Sequence, residues 1–143
     1  MDSRILAGLG WFRIAVQALV VTAEADGACS SAVLAQELKT HATFLRRVMV
    51  LLVRAHILVA REGRDGGYRL ARPADEITLA EVYQAAKAAC PTDGNEARTI
   101  GSARVQHLLD GVTDEIQQTL LTTLDHYTIA SLMEKNQPAT PHS

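Results

Sequence analysis

Between Ala42 and Arg72 the spacing of apolar residues changes from helical to strand-like almost without a gap, and few folds accept that change. Leu45, Val48, Met49 and Leu52 recur at i, i+3, i+4 and i+7, which predicts a helix from about Ala42 to Ala55 with these residues, continued by Ala55, against a core. Its opposite face carries Thr43, Arg46, Arg47, Val50 and Arg54. Ile57 to Arg61 and Tyr68 to Arg72 then read as short strands around Glu62-Gly63-Arg64-Asp65-Gly66-Gly67, which has the turn chemistry of a hairpin. In the second run Tyr68 and Leu70 alternate with Arg69 and Ala71, so one side is apolar and the other basic. A short helical pair followed at once by a glycine-tipped basic hairpin is a winged helix.

The flanking segments fit that frame. Ser3 to about Ala25 reads as a helix that is apolar nearly all round, stopped at Asp26 and Gly27, and it needs cover from its own domain and from a second subunit. Ser30 or Ser31 can cap a short helix from Ala32 to Leu38, with Val33, Leu34 and Leu38 as its apolar face; Lys39 and Thr40 make the tight connection onward. After Pro73, Thr78 and Glu81 form a capping box for a helix through about Ala89, with Val82, Tyr83 and Ala86 inward. A polar loop follows, and from about Gly101 Val105, Leu109, Val112, Ile116, Leu120 and Leu124 stripe a long helix. Such a stripe after a complete small domain pairs with its copy in a dimer; the alternative is that it folds back on its own domain. The expected fold is mainly α, a winged helix-turn-helix with a small β-hairpin wing and a long C-terminal dimerisation helix. Its parts are a winged domain at 1–90, a linker at 91–100, the dimerisation helix and a short helix from Thr128 to Met133 within 101–133, and a disordered tail at 134–143.

The 143 residues are 48% hydrophobic and 21% charged, which excludes a wholly disordered or fibrous chain. The net charge of −2 conceals a strong segregation. Residues 39–72 hold eight basic and two acidic side chains, net +6, whereas residues 73–143 hold four basic and ten acidic, net −6. A concentrated positive block in an acidic chain is the footprint of contact with a phosphate backbone. Two cysteines are too few for a disulfide scaffold, the first residues show no basic segment followed by a cleavable apolar one, and Arg13, Gln17, Arg46, Arg47 and Arg54 break every apolar run short of a membrane span, so the cytoplasm is the expected compartment. No nucleophile-and-base pair, phosphate-cradling loop or paired carboxylates stand out, so no enzyme is expected, and scattered His107 and His126 suggest no metal site.

The run from Leu34 to Val82, above all Gly66-Gly67-Tyr68-Arg69-Leu70-Ala71-Arg72-Pro73 and the following Ile77-Thr78-Leu79, resembles the Rrf-two family of winged-helix transcriptional regulators (the IscR, NsrR and CymR kind). Arg13 to Leu19 looks like that family's first helix, and the helix after residue 100 like its dimerisation helix. The resemblance implies a homodimer whose recognition helices enter successive major grooves of a palindromic operator. His41-Ala42-Thr43-Phe44 stands where the family often has Ser-Pro-Ser-Tyr, and Glu62 where the wing commonly has Arg. Cluster-binding members share three close cysteines after the fourth helix; here Cys90 is alone in that region, so no cofactor, and in particular no iron–sulfur cluster, is expected.

The partners expected are double-stranded DNA, a second copy of the chain and a small-molecule effector, with no membrane. Thr43, Arg46 and Arg47 would reach base edges, and Arg54, Arg64 and Arg69, with Arg61 beside them in the wing, would hold phosphates. Val105, Leu109, Val112, Ile116 and Leu120 would form the dimer seam. Two thiols are candidates for redox sensing: Cys90, on the apolar stripe before Pro91, and Cys29, in the exposed-looking Gly-Ala-Cys-Ser connector. The plainer reading of each is a small buried hydrophobe. A ligand or redox signal would act at the polar loop and the space under the long helix. The alternative function is a protein-interaction module that docks the basic block on an acidic partner without reading DNA.

Overall fold

The side chains that exclude water most completely are drawn from segments far apart in the chain: Leu19, Leu34, Leu45, Val48, Met49, Leu52, Ile57, Leu58, Ile77, Val82 and Ile129. The computed structural model describes residues 3–25, 28–63, 66–87, 89 and 102–136. In chain order the elements are α1 (Ser3–Glu24), α2 (Ser31–Leu38), α3 (Ala42–Arg54), β1 (Leu58–Arg61), β2 (Gly67–Leu70), a 3-10 turn at Ala74–Glu76, α4 (Leu79–Lys87), α5 (Ala103–Leu124) and α6 (Ile129–Asn136). The fold is mainly helical with one antiparallel two-stranded hairpin, as the residue pattern predicts.

The buried face of α1 is formed by Trp11, Ala15, Ala18, Leu19 and Thr22, and α2, α3, α4 and β2 pack around this helix. Thr22 is polar and 3% exposed; its hydroxyl donates to the Ala18 carbonyl at 2.7 Å, so the burial leaves no unmet donor. The capping box is present at α4: the Glu81 N–H donates to Thr78 Oγ1 at 3.2 Å, and the Thr78 N–H to Glu81 Oε2 at 3.1 Å.

Two apolar residues lie elsewhere than their spacing suggests. Val33 is 48% exposed, because α2 has only two turns and anchors itself through Leu34. Ala55 is exposed because α3 ends at Arg54, in a reversal where His56 takes φ 60. The Ile57 N–H reaches back to the Leu52 carbonyl and the His56 N–H to the Val53 carbonyl, each at 3.0 Å. This is the Schellman pattern, and it turns the chain directly into β1.

The C-terminal segment departs further from expectation. The last helix runs through Asn136, so residues 134–136 are helical rather than part of a tail; residues 137–143 lie outside those described. It also joins the winged domain's core. Thr78 and Thr128 form a bridge in which the Leu79 N–H donates to the Tyr127 carbonyl at 2.9 Å and the Ile129 N–H to the Ile77 carbonyl at 3.0 Å. Ile129 is fully buried. Thr128 and Ser131 cap α6 reciprocally, at 2.8 and 3.1 Å. No helix among the described residues is long and apolar enough to cross a membrane. Ile129→Ala should cost about 2–5 kcal/mol of global stability in urea unfolding. A helix independent of the winged core would give a shift near zero.

Candidate nucleic-acid interface

The basic face begins with local hydrogen bonding that sets α3 beside α2. Ser30 caps α2, accepting from the Val33 N–H at 3.2 Å, and Lys39 ends it in the left-handed region at φ 51, ψ 46. The Lys39 N–H then bonds Gln36 and the Thr40 N–H bonds Ala35, at 3.3 and 3.1 Å, so the chain reverses within Lys39–His41. From there α3 buries Leu45, Val48, Met49 and Leu52 against α1, α4 and β1. Thr43, Arg46, Arg47, Val50 and Arg54 consequently form an exposed surface, as expected.

The wing is fixed through its main chain. β1 and β2 pair with Leu58 opposite Leu70, Val59 opposite Arg69, Ala60 opposite Tyr68 and Arg61 opposite Gly67. Strand alternation then puts Arg61 and Arg69 on one face, both exposed, with Val59 between them. Arg64 at the tip lies outside the described residues. The Arg72 guanidinium is taken up by Glu81 at 3.2 Å and the Glu76 carbonyl at 3.2 Å, and it serves the fold rather than the interface.

Cys29 is not in an exposed connector. Its N–H donates to the Tyr68 carbonyl at 3.0 Å and its carbonyl accepts from the Tyr68 N–H at 2.8 Å, which adds a one-residue third strand to the wing. The side chain is 5% exposed. Gly67 permits this approach: a Cβ there would lie 2.6 Å from the Cys29 carbonyl oxygen, and its φ of +143 suits glycine. Burial pushes the Cys29 thiol up from its ordinary range, and the Glu37 carboxylate adds to the shift. Cys90 lies outside the described residues, as does the polar loop at 91–99.

Along α5, Val105, Leu109, Val112 and Ile116 are about half exposed, and Leu108, which the periodic reading omitted, is 62% exposed. Leu120 is partly covered. Two apolar side chains lie bare within the basic surfaces: Val50, at 44% exposed, which the helical spacing places on the outer face, and Val59, at 46%, which the sequence pattern did not single out. Interruption of a charged face by a bare valine was the signal; such a group suits a thymine methyl in the major groove. Trp11 was missed as well, and it stacks on Phe44 beside Arg47.

Comparison with known proteins gives a consistent pattern. A family model described as "Rrf2: Iron-dependent Transcriptional regulator" matches residues 11–135. An HTH-type transcriptional regulator by name, YwgB of Bacillus subtilis (strain 168), is 24% identical over 112 residues, covering 78% of this chain and 68% of that protein. Among solved structures, T. potens IscR superposes with a TM-score of 0.67 at 18% identity, covering 93% of this chain and 90% of its own. CymR of B. subtilis, titled the global cysteine regulator, gives 0.57 at 17% identity with 96% and 98% covered. A transcriptional regulator from Lactobacillus plantarum gives 0.70 at 22% identity, with 87% and 88% covered. At these identities the structures show a shared fold.

Because the thiolate is the reacting species, a raised pKa together with burial should make Cys29 slow toward an aromatic disulfide reagent at pH 8. Denaturant should release that reactivity. Cys90→Ser protein, which leaves Cys29 as the single thiol, isolates the measurement; immediate reaction in the native state would contradict the buried position.

Proposed function

The chain belongs to the Rrf2 family of transcriptional regulators, and from that premise we propose that it acts in the cytoplasm as a homodimer that binds a palindromic operator through α3 and the wing. The family assignment makes it a regulator rather than an enzyme. The observation that carries the DNA reading is the exposed guanidinium face. Arg46, Arg47 and Arg54 on α3, and Arg61 and Arg69 on the wing, are all exposed, while α3's opposite side is fully buried. A helix so presented enters a major groove, and a hairpin beside it reaches the flanking backbone. In this reading Thr43, Arg46 and Arg47 meet base edges, and Arg54, Arg61, Arg64 and Arg69 hold phosphates.

The homodimer rests on α5. A helix of 22 residues with a continuous half-exposed stripe of Val105, Leu109, Val112 and Ile116 has apolar area that a second copy of the helix would remove from water. Two recognition helices held this way would meet half-sites about one helical turn of DNA apart.

The family's description names iron, but this chain's donor set does not fit a thiolate cluster. It has two cysteines in all, and Cys29 is locked into the wing with its thiol buried and its pKa raised. Among the described residues no group of three or more His, Cys, Asp or Glu side chains is placed to hold a metal. The proposed control is therefore a small-molecule effector or oxidation at Cys90, acting without a cluster.

Selection from random DNA tests the function, with a two-fold symmetric site as the expected product. Arg46→Ala should cost about 1–3 kcal/mol and relax preference at one base pair per half-site. Arg54→Ala and Arg69→Ala should weaken all sequences alike and each lower the slope of log K against log salt by about 0.9 per half-site contact. A salt-insensitive complex with an acidic protein, and no selected site, would instead mark an interaction module. Separately, Ile116→Glu should convert the dimer to monomers in sedimentation velocity; an unchanged dimer would move the seam away from α5.

A further inference from the structure

The guanidinium carbon of Arg47 lies 5.6 Å from the centroid of the Trp11 ring. That ring is itself stacked on Phe44, with centroids 3.9 Å apart and planes inclined by 32°. Phe44 and Arg47 are one helical turn apart on the same edge of α3, so Trp11 meets both from α1. Trp11 is only 7% exposed and therefore held in one place, whereas Arg47 is exposed. Nothing comparable supports Arg46 among the described residues.

We propose that Trp11 is a positioning residue for DNA readout, a fixed aromatic platform that presents the Arg47 guanidinium to the groove. The inference rests on Arg47 being a base contact. An arginine free in solvent samples many rotamers and loses that freedom on binding. A cation–π contact draws on the charge of the guanidinium rather than on its N–H donors, so the indole can hold the group without consuming the donors that would read a base. The same guanidinium then reaches a guanine edge already ordered. Readout by the second helix of the motif thus depends on a residue of the first helix of the domain, which no contact with DNA would reveal.

The experiment uses the full chain as wild type, Trp11→Phe, Trp11→Leu, Arg47→Ala and the double variant Trp11→Leu/Arg47→Ala. Each is titrated against the selected operator and its single-base variants, with thermal unfolding as the folding control. Trp11→Leu should lose about two- to fivefold of preference, the worth of a surface cation–π contact, at the base pair that Arg47→Ala relaxes and at no other. The double variant should match Arg47→Ala. Trp11→Phe, which keeps a ring, should retain most of the preference. Uniform weakening over all sequences, additive with Arg47→Ala, would make Trp11 a core residue only and overturn the platform. If Arg47→Ala itself relaxes no base pair, the reading of Arg47 fails and takes the platform with it; that result differs from additivity. Trp11 is the chain's single tryptophan, so its emission gives an arm independent of selection and of the leucine variant's folding. Arg47→Ala should shift the emission of the free protein, and operator should change it in wild type but not in Arg47→Ala. Emission indifferent to Arg47 would overturn the contact.

Discussion

The burial of one side of α3 decides where everything functional points. Leu45, Val48, Met49 and Leu52 are withdrawn from water against α1, α4 and β1, and each contributes on the order of 1.5–3 kcal/mol by that burial. The helix cannot rotate about its axis without exposing one of them. Its arginines therefore face outward because of what lies behind them, and only Arg47 among them adds a contact of its own, with the Trp11 ring, among the described residues. The basic surface is stable as a by-product of the core, and its side chains stay available to a partner.

The wing depends on the same helix through its end. His56 in the left-handed region closes α3 and sends Ile57 into the core and Leu58 into β1. The hairpin is then held at a second place by the paired N–H and carbonyl bonds of Cys29 and Tyr68. An isolated two-stranded hairpin is marginal in water. Here its buried side chains Leu58 and partly covered Tyr68 and Leu70 tie it to the helices, and the Cys29 bridge ties it to the chain entering α2. Helix and wing thus form one rigid surface.

The C-terminal third contains two helices with opposite fates. In α5 no described side chain is fully buried, and its apolar stripe is left to solvent in the single chain. In α6 Ile129 completes the winged core, and main-chain bonds on either side of Thr128 hold it to the start of α4. A long helix anchored at its far end by α6 cannot simply detach from the domain. Whatever α5 meets is consequently coupled to the frame that carries α3.

Much of this was legible in residue order. The period of 3.6 in α3 and the change to alternation at Ile57 reveal a helix and a hairpin, and the +6 block shows where the positive charge of the chain is gathered. The capping pair Thr78 and Glu81 is a signal of fixed spacing, so it could be read without a structure. Local rules reach no further than a few residues. The helix ends at Lys39 and His56 lack the glycine that usually marks them, and the exposure of Val33 and Ala55 depends on where neighbouring helices stop. Burial of Cys29, the return of Ile129 and the stacking of Trp11 on Phe44 beside Arg47 each join segments tens of residues apart. Periodicity and charge settle which residues share a face, since that follows from backbone geometry alone. Which face meets which is a property of the packed interior, where shape and the need to satisfy every buried hydrogen bond select one arrangement.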